Sequence, residues 1–318
     1  MTNIYDLDTP ALLANLDIVE QNVIEMVQIA VEGGKALRPH VKTHKTPELA
    51  RLQIQSGARG ITVAKLGEAE VMAAAGIEDI FIANQIVGRQ KINRLVELAE
   101  IANVCIAVDS LEVAEPIDDA ARMAGLRIPV LIEVDTGNER AGTRTSEELL
   151  RIARAVTFCK GLELRGIYTH EGQLYRVHDA QERAERAHAL ALELAALGDL
   201  MMGQGTPPEV ISVGSTPGAA LLAGEARITE IRPGVYIFND RMQMQFGVPL
   251  ERCALTVLAT VTSVRSDGKV IIDAGTKSMA SDVFLKDRQH ERSQVPPLLL
   301  HRIAAPGRVV QVAVREIT

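Results

Sequence analysis

Arg38-Pro39-His40-Val41-Lys42-Thr43-His44-Lys45 ends the first buried strand that the chain's pattern suggests. It holds three basic side chains and two imidazoles within eight residues. Crowded cations repel one another and resist burial, so a chain accepts that cost mainly where chemistry or an anion uses it. A lysine kept among cations has its pKa pushed down, and its amine is more often free to attack a carbonyl. The plain alternative is a solvated basic turn.

From this segment outward the pattern alternates. Short β-rich runs are predicted at 36–42, 60–64, 79–83, 103–108, 128–135, 162–169, 208–213 and 227–231. Amphipathic helical stretches lie between most of them, including 47–56, 89–101, 111–124 and 180–202. Strand and helix in alternation mean parallel strands with right-handed crossovers. Eight such strands fit an α/β fold of the (β/α)8 TIM type, a closed barrel. A doubly wound open sheet is the rival, but no GxGxxG follows the first strand. Residues 11–30 read as a helix before the barrel, with Thr9 as N-cap and Pro10 at its first position. After 250, strands at 255–264 and 269–273 flank the turn Ser266-Asp267-Gly268, which predicts a small C-terminal β domain. The expected division is a barrel over 8–245, with 1–7 and 246–318 in the β domain.

The bulk numbers narrow the function. Net charge is -7, so the basic segment is a local site on an acidic protein and suits a small anion better than nucleic acid or an anionic membrane. Trp is absent and aromatics are 3%, too few for base-stacking platforms. Cys105, Cys159 and Cys253 form no CxxC pair; the first two read as buried free thiols of a reducing compartment. No apolar run reaches spanning length and no signal peptide is visible, so a cytoplasmic protein is expected.

In a (β/α)8 barrel, reactive groups sit at the C-terminal ends of the strands. Here those ends carry Lys42, Asn84, Glu133-Val134-Asp135-Thr136-Gly137 with Arg140 beyond, Tyr168-Thr169-His170, Gly214-Ser215-Thr216-Pro217-Gly218, and Arg232-Pro233-Gly234 with Tyr236 after it. Glycines in the 214–218 loop let backbone N–H groups approach an oxyanion. Ser215 and Thr216 add hydroxyls, and Pro217 suits the first turn of a helix whose N-terminus attracts anions. A lysine facing such a cup is what pyridoxal phosphate needs: the amine forms a Schiff base and the cup holds the tail. Arg140 could donate to the cofactor's phenolic oxygen.

Taken in order, the Arg38–Lys45 segment, Asp-Thr-Gly-x-x-Arg-x-Gly at 135–142, Tyr168-Thr169-His170, Gly214-Ser215-Thr216 and Arg232-Pro233-Gly234-Val235-Tyr236 resemble the D-serine dehydratase / D-threonine aldolase family of fold-type III enzymes, which is related to alanine racemase. The resemblance implies a pyridoxal 5'-phosphate barrel with a C-terminal β domain, and a lyase acting on D-amino acids that carry a β-hydroxyl. It makes Lys42 the Schiff-base residue and Lys45 a nearby second lysine. It places Arg140, Tyr168, Tyr175, Gly214, Ser215, Thr216, Gly234 and Tyr236 around the cofactor. His170 and the freed Lys42 are the candidate bases. A homodimer acting on a small molecule is implied as well.

Departures from the family pattern are equally definite. The family holds a divalent metal, usually zinc, on a late His-x-Cys or His-x-Asp pair. Here His290 is followed by Glu291-Arg292 and His301 by Arg302-Ile303, so no metal ligand is assigned for zinc or manganese. The arginine-rich tail after about 288 reads as truncated or altered, with 309–314 able to form one strand. Two other outcomes stay open at this stage: a non-catalytic or degenerate pyridoxal phosphate binder, and an amino-acid racemase.

Overall fold

The computed structural model describes residues 3–275 and 309–313. The chain divides into two compact units, one of residues 23–236 and one of 1–22 with 237–318. These bounds lie inside the expected 8–245.

The smaller unit contains β1 (Ala11–Ala14), and the long helix α1 (Leu16–Glu32) starts in it. Residues 11–14 are therefore a strand, not the start of a helix. Ala11–Ala14 alternates half-buried with exposed positions and pairs antiparallel with 255–258. The cap falls at Asn15 instead, whose Oδ1 accepts the N–H groups of Asp17 and Ile18. Asn is the better capping residue of the two, and it stands directly before the first helical turn.

The larger unit repeats strand and helix: β2 (Ala36–Leu37), α2 (Pro47–Gln55), β3 (Ile61–Val63), α3 (Leu66–Ala74), β4 (Asp79–Gln85), α4 (Arg89–Ala99), β5 (Asn103–Val108), α5 (Leu111–Met123), β6 (Ile128–Glu133), α6 (Ser146–Phe158), β7 (Leu162–Tyr168), α7 (Ala180–Gly203), β8 (Val210–Val213), α8 (Thr216–Ala223) and β9 (Glu230–Ile231). All eight strands are parallel, in the order β2-β9-β8-β7-β6-β5-β4-β3. The ends meet where the chain beyond β2 runs along β3. His40 bridges Thr62, Thr62 N–H donates to the Pro39 carbonyl at 2.8 Å, and Arg59 N–H donates to the Leu37 carbonyl at 2.8 Å. The predicted barrel is thus present, with every predicted strand in place.

The strands are near-continuous apolar runs because both faces are covered. Ile61, Val63, Ile80, Ile82, Ile106, Val108, Val130 and Ile132 are all buried. Facing the barrel interior, Phe81, Ala107, Leu131 and Tyr168 pack as one cluster, with the Phe81 and Tyr168 rings edge to face at 5.0 Å. Gly166, between β6 and β8, has φ +147°, and a Cβ there would meet the Val210 carbonyl at 2.0 Å, so only glycine fits.

The smaller unit continues with α9 (Arg241–Met244), β10 (Leu255–Val264), β11 (Val270–Ile272) and β12 (Val309–Ala313). β10 pairs antiparallel with β1, β11 and β12. The predicted turn links β10 and β11, with Gly268 at φ +84°. Asp273, just after β11, accepts the Thr9 hydroxyl and the Thr260 N–H at 2.5 and 2.9 Å. The three cysteines are free and half-buried, which departs from the burial expected of Cys105 and Cys159. Among the described residues, no helix is long and apolar enough to cross a membrane.

Candidate active site

Because the barrel strands are parallel, residues that follow them share one rim. Strand β2 ends earlier than the predicted 36–42. Beyond His40 the chain turns into a 3-10 turn, Val41–Thr43, which the His40 Nδ1 caps from 3.5 Å below the Lys42 N–H. Lys42 is therefore aimed by a turn and not by strand alternation. His44, on the far side of that turn, faces away from Lys42. Its Nδ1 accepts Thr46 N–H at 3.0 Å, so the proton is on Nε2, which donates to Gln53 Oε1 at 3.2 Å. Gln53 Nε2 then donates to the Tyr236 hydroxyl at 2.8 Å.

A pocket of about 220 Å³ opens at this rim, lined by Lys42, Glu133, Arg140, Tyr168, His170 and Arg232 among others. Lys42 as a whole is exposed, yet the protein packed around its amine lowers the pKa. The Arg140 and Arg232 charges act the same way, against the weaker pull of Glu68. Lys45 ion-pairs with Glu68 at 3.2 Å and does not line the pocket.

Arg140 rides on the loop after β6. Asp135 shapes that loop: its Oδ1 accepts the N–H groups of Gly137 and Glu139 at 3.1 and 3.0 Å, and its own N–H reaches the Thr143 carbonyl. Asp135 is thus a loop organiser and lies outside the pocket wall. Arg140 Nη2 stands 3.7 Å from Glu133 Oε1, and Gln85 donates to Glu133 Oε2 at 2.6 Å. Tyr168 is buried with its hydroxyl toward Glu133. Burial first, and then that carboxylate, push its pKa well up. Asn84 holds the local turn, its Nδ2 donating to the Ala64 carbonyl and its Oδ1 accepting Gln85 N–H.

His170 donates from Nδ1 to the Gly214 carbonyl at 2.7 Å, since a carbonyl can only accept. Nε2 therefore carries the free lone pair. Burial, with the Lys42 and Arg140 charges, outweighs Glu171 and the Gly214 bond and brings the His170 pKa down to about 4. The loop beyond β8 starts α8. Ser215 caps the helix by accepting Gly218 N–H at 3.2 Å. The Thr216 hydroxyl accepts the N–H groups of Gly234 and Val235 at 3.3 and 3.1 Å, tying the β8 and β9 ends together. Gly234 is pinned from the other side, where a Cβ would meet the His40 carbonyl at 2.9 Å.

Of the residues picked out from sequence, Lys42, Arg140, Tyr168 and His170 line one pocket, and Gly214, Ser215, Thr216 and Gly234 lie at the same rim. Tyr236 is buried against Gln53, and Tyr175 lies in the 3-10 turn Gly172–Arg176; neither lines the pocket. The strand-end rule named Glu133 and Arg232 but gave them no role in the pocket, and it left out Gln85, the last residue of β4. Arg232 is 2% exposed and lies over the Phe81 and Tyr168 rings at 5.5 and 5.0 Å. Among the described residues no group of three or more His, Cys, Asp or Glu is placed to hold a metal; His290 and His301 lie outside the described residues.

Comparison with known proteins agrees with this geometry. The alanine racemase N-terminal domain model matches residues 14–242 and a serine dehydratase domain model matches 254–314. The second match runs past residue 288. A D-threonine aldolase from Arthrobacter sp. is 35% identical over 87% of this chain and 74% of its own length. A D-threo-3-hydroxyaspartate dehydratase from Delftia sp. is 37% identical over 87% and 73%. The crystal structure of D-threonine aldolase from Filomicrobium marinum superposes with a TM-score of 0.83 at 33% identity, over 87% of this chain and 75% of that one. With two family models side by side along the chain and relatives of this closeness, the protein belongs to the D-serine dehydratase / D-threonine aldolase family, whose barrel is that of alanine racemase.

Proposed function

We propose that this protein is a pyridoxal phosphate-dependent lyase that acts on small D-amino acids with a β-hydroxyl, by cleaving Cα–Cβ or by eliminating the hydroxyl. The observation that carries the reading is one pocket shared by an amine of lowered pKa, Lys42, and an imidazole with a free Nε2, His170.

The residues fit the cofactor. Lys42 is the one lysine among the described residues that line the pocket, and its lowered pKa leaves more of the amine neutral and nucleophilic at pH 7 than an ordinary lysine would have. The α8 N-terminus, with the Ser215 and Thr216 hydroxyls, suits a phosphate at the same rim. Arg140 adds a guanidinium at the mouth, exposed enough to reach an anionic oxygen. When bound, pyridoxal phosphate supplies an electron-poor ring that takes up the electron pair released at Cα. Cleavage then needs a base for the β-hydroxyl proton, and elimination needs one for the Cα proton. His170 Nε2 can accept either. Arg140 and Arg232 keep the pocket positive, which favours a substrate carboxylate.

The test is to mix the purified, cofactor-loaded protein with D-threonine and with D-serine, each with and without zinc or manganese. Release of glycine and an aldehyde, or of a 2-oxo acid and ammonia, is the expected result, and the metal arms show whether a divalent ion is required. A yellow protein that releases nothing from either would sink the lyase and favour a pyridoxal phosphate binder. Replacing His170 with Gln should lower kcat by about 10²–10⁴-fold while the yellow colour stays. The acid limb of kcat/KM should fall near pH 4, where His170 takes up its proton, and not near the ordinary imidazole value. The same reading makes the protein a cytoplasmic homodimer, with the family resemblance as its support; sedimentation should give about twice the 34.4 kDa chain mass.

A further inference from the structure

Three consecutive residues after β7 grip the ends of β8 and β9. The Thr169 carbonyl accepts Arg232 Nη2 at 2.6 Å. His170 Nδ1 donates to the Gly214 carbonyl at 2.7 Å. Glu171 Oε2 accepts the Gly214 N–H at 2.8 Å. Both backbone polar groups of Gly214 are thus held by adjacent side chains of one segment. The third side of Gly214 is closed by Arg232, whose Nη1 would lie 2.8 Å from a Cβ at this position.

Glu171 is an unusual residue to find there. It is fully buried, and its Oε1 has no hydrogen-bond partner. That oxygen lies under the first turn of α8, where a Cβ at Gly218 would come 3.2 Å from it. A helix N-terminus favours negative charge, which offsets part of the cost of burying the carboxylate. Its charge also acts on the buried Arg232 guanidinium and offsets part of the cost of burying that cation. Among the described residues, the Glu171 side chain's one direct hydrogen bond is to the N–H of the residue whose carbonyl His170 reads.

We propose that Glu171 is a positioning residue that fixes the tautomer of His170 by immobilising Gly214. A neutral imidazole has two tautomers, and the hydrogen bond made by one ring nitrogen decides which lone pair remains. While Glu171 holds the Gly214 N–H, the Gly214 carbonyl stays aimed at Nδ1 and demands a proton there. Nε2 is then the acceptor facing the pocket. Without that grip a side-chain-free residue can turn its peptide, and the Nδ1–H form loses its advantage. The catalytic consequence rests on the proposed lyase, in which Nε2 takes the proton; the tautomer itself does not.

The experiment reads the ring nitrogens directly. Long-range ¹H–¹⁵N spectra of the ¹⁵N-histidine protein, with His170 assigned by its absence in H170Q, should show the Nδ1–H form in the wild type at neutral pH. Glu171→Gln keeps an acceptor oxygen for Gly214 and should keep that form. Glu171→Ala should give a mixture of the two tautomers and lower kcat about tenfold with KM changed less. An Nε2–H wild type overturns the proposal even if Glu171→Ala fails to fold, and so does an unchanged tautomer in a folded Glu171→Ala. Failure of the lyase reading looks different: the wild type would turn over neither D-threonine nor D-serine while the tautomer result stood.

Discussion

Lys42→Ala should leave a folded protein that no longer binds pyridoxal phosphate covalently. Lys42 is exposed, its amine donates no hydrogen bond to another described residue, and it sits on a turn held by its own backbone N–H and that of His44, so its loss costs little stability. Turnover should fall by about four orders of magnitude or more, because the covalent step has no substitute. The measurement is the yellow absorbance together with mass spectrometry after borohydride reduction. Wild type should carry one adduct at residue 42, and the variant none. Lys45 is a poor replacement: it turns to Glu68 and away from the pocket. A trapped adduct that persists in the variant would remove the lysine assignment and, with it, the proposed chemistry.

The second large effect concerns stability. Beneath the pocket, Arg232 Nε donates to Ser212 Oγ at 2.7 Å, and because an arginine only donates, the Ser212 hydroxyl must pass its own proton to Glu230 Oε1, also at 2.7 Å. Glu230 Oε2 accepts Arg38 Nε at 2.8 Å, and Arg38 reaches on to Asp79. Arg38 and Glu230 side chains are only 8% and 4% exposed. Burial works against the Arg38 charge, yet Glu230 and Asp79 together hold its pKa above the usual guanidinium value. Glu230→Gln removes the one carboxylate that serves both arginines and should cost about 3–5 kcal/mol. Against a total of about 5–15 kcal/mol, that is a large fall in the urea midpoint and in Tm. Asp79, 37% exposed, is the control: Asp79→Asn should cost about 1 kcal/mol or less, because solvent screens it. Equal, small effects in both variants would mean that the interior ion pair contributes little.

Acid should weaken the fold in a defined window. His40 and His170 both have pKa values lowered mainly by burial, so the unfolded chain binds protons that the folded one refuses. Stability from this source is complete above the ordinary imidazole value and falls as pH drops from there toward about 4, the folded value for His170. Denaturant midpoints measured between pH 7 and 4 should decline, and the H170Q variant should decline less steeply.

The barrel was legible because its signal is repeated. Eight apolar runs separated by amphipathic helices leave few alternatives once parallel pairing and right-handed crossovers are required. The pocket was half legible for the same reason: parallel strands send their C-terminal ends to one rim, so Lys42, Arg140, Tyr168 and His170 could be grouped without coordinates. The first element was misread because Ala11–Ala14 is too short to show a period, and its partner is residues 255–258, over two hundred positions away. Arg232 was named but given no role because an arginine on paper looks like a surface charge. Its burial depends on the Phe81 and Tyr168 faces, the Thr169 carbonyl and Ser212, none of them near it in sequence.

Local chemistry and period alone thus determined that this chain builds a parallel barrel with a reactive amine at its mouth, since both follow from interactions within a few residues or from a rule that every crossover obeys. The three-dimensional arrangement decided which way each group faces: His44 and Tyr236 turned to Gln53, Asp135 spent on its own loop, and His170 locked to Gly214 through Nδ1. Hydrogen bonds between distant strand ends set those directions, and no pattern along a single chain records which donor will meet which acceptor.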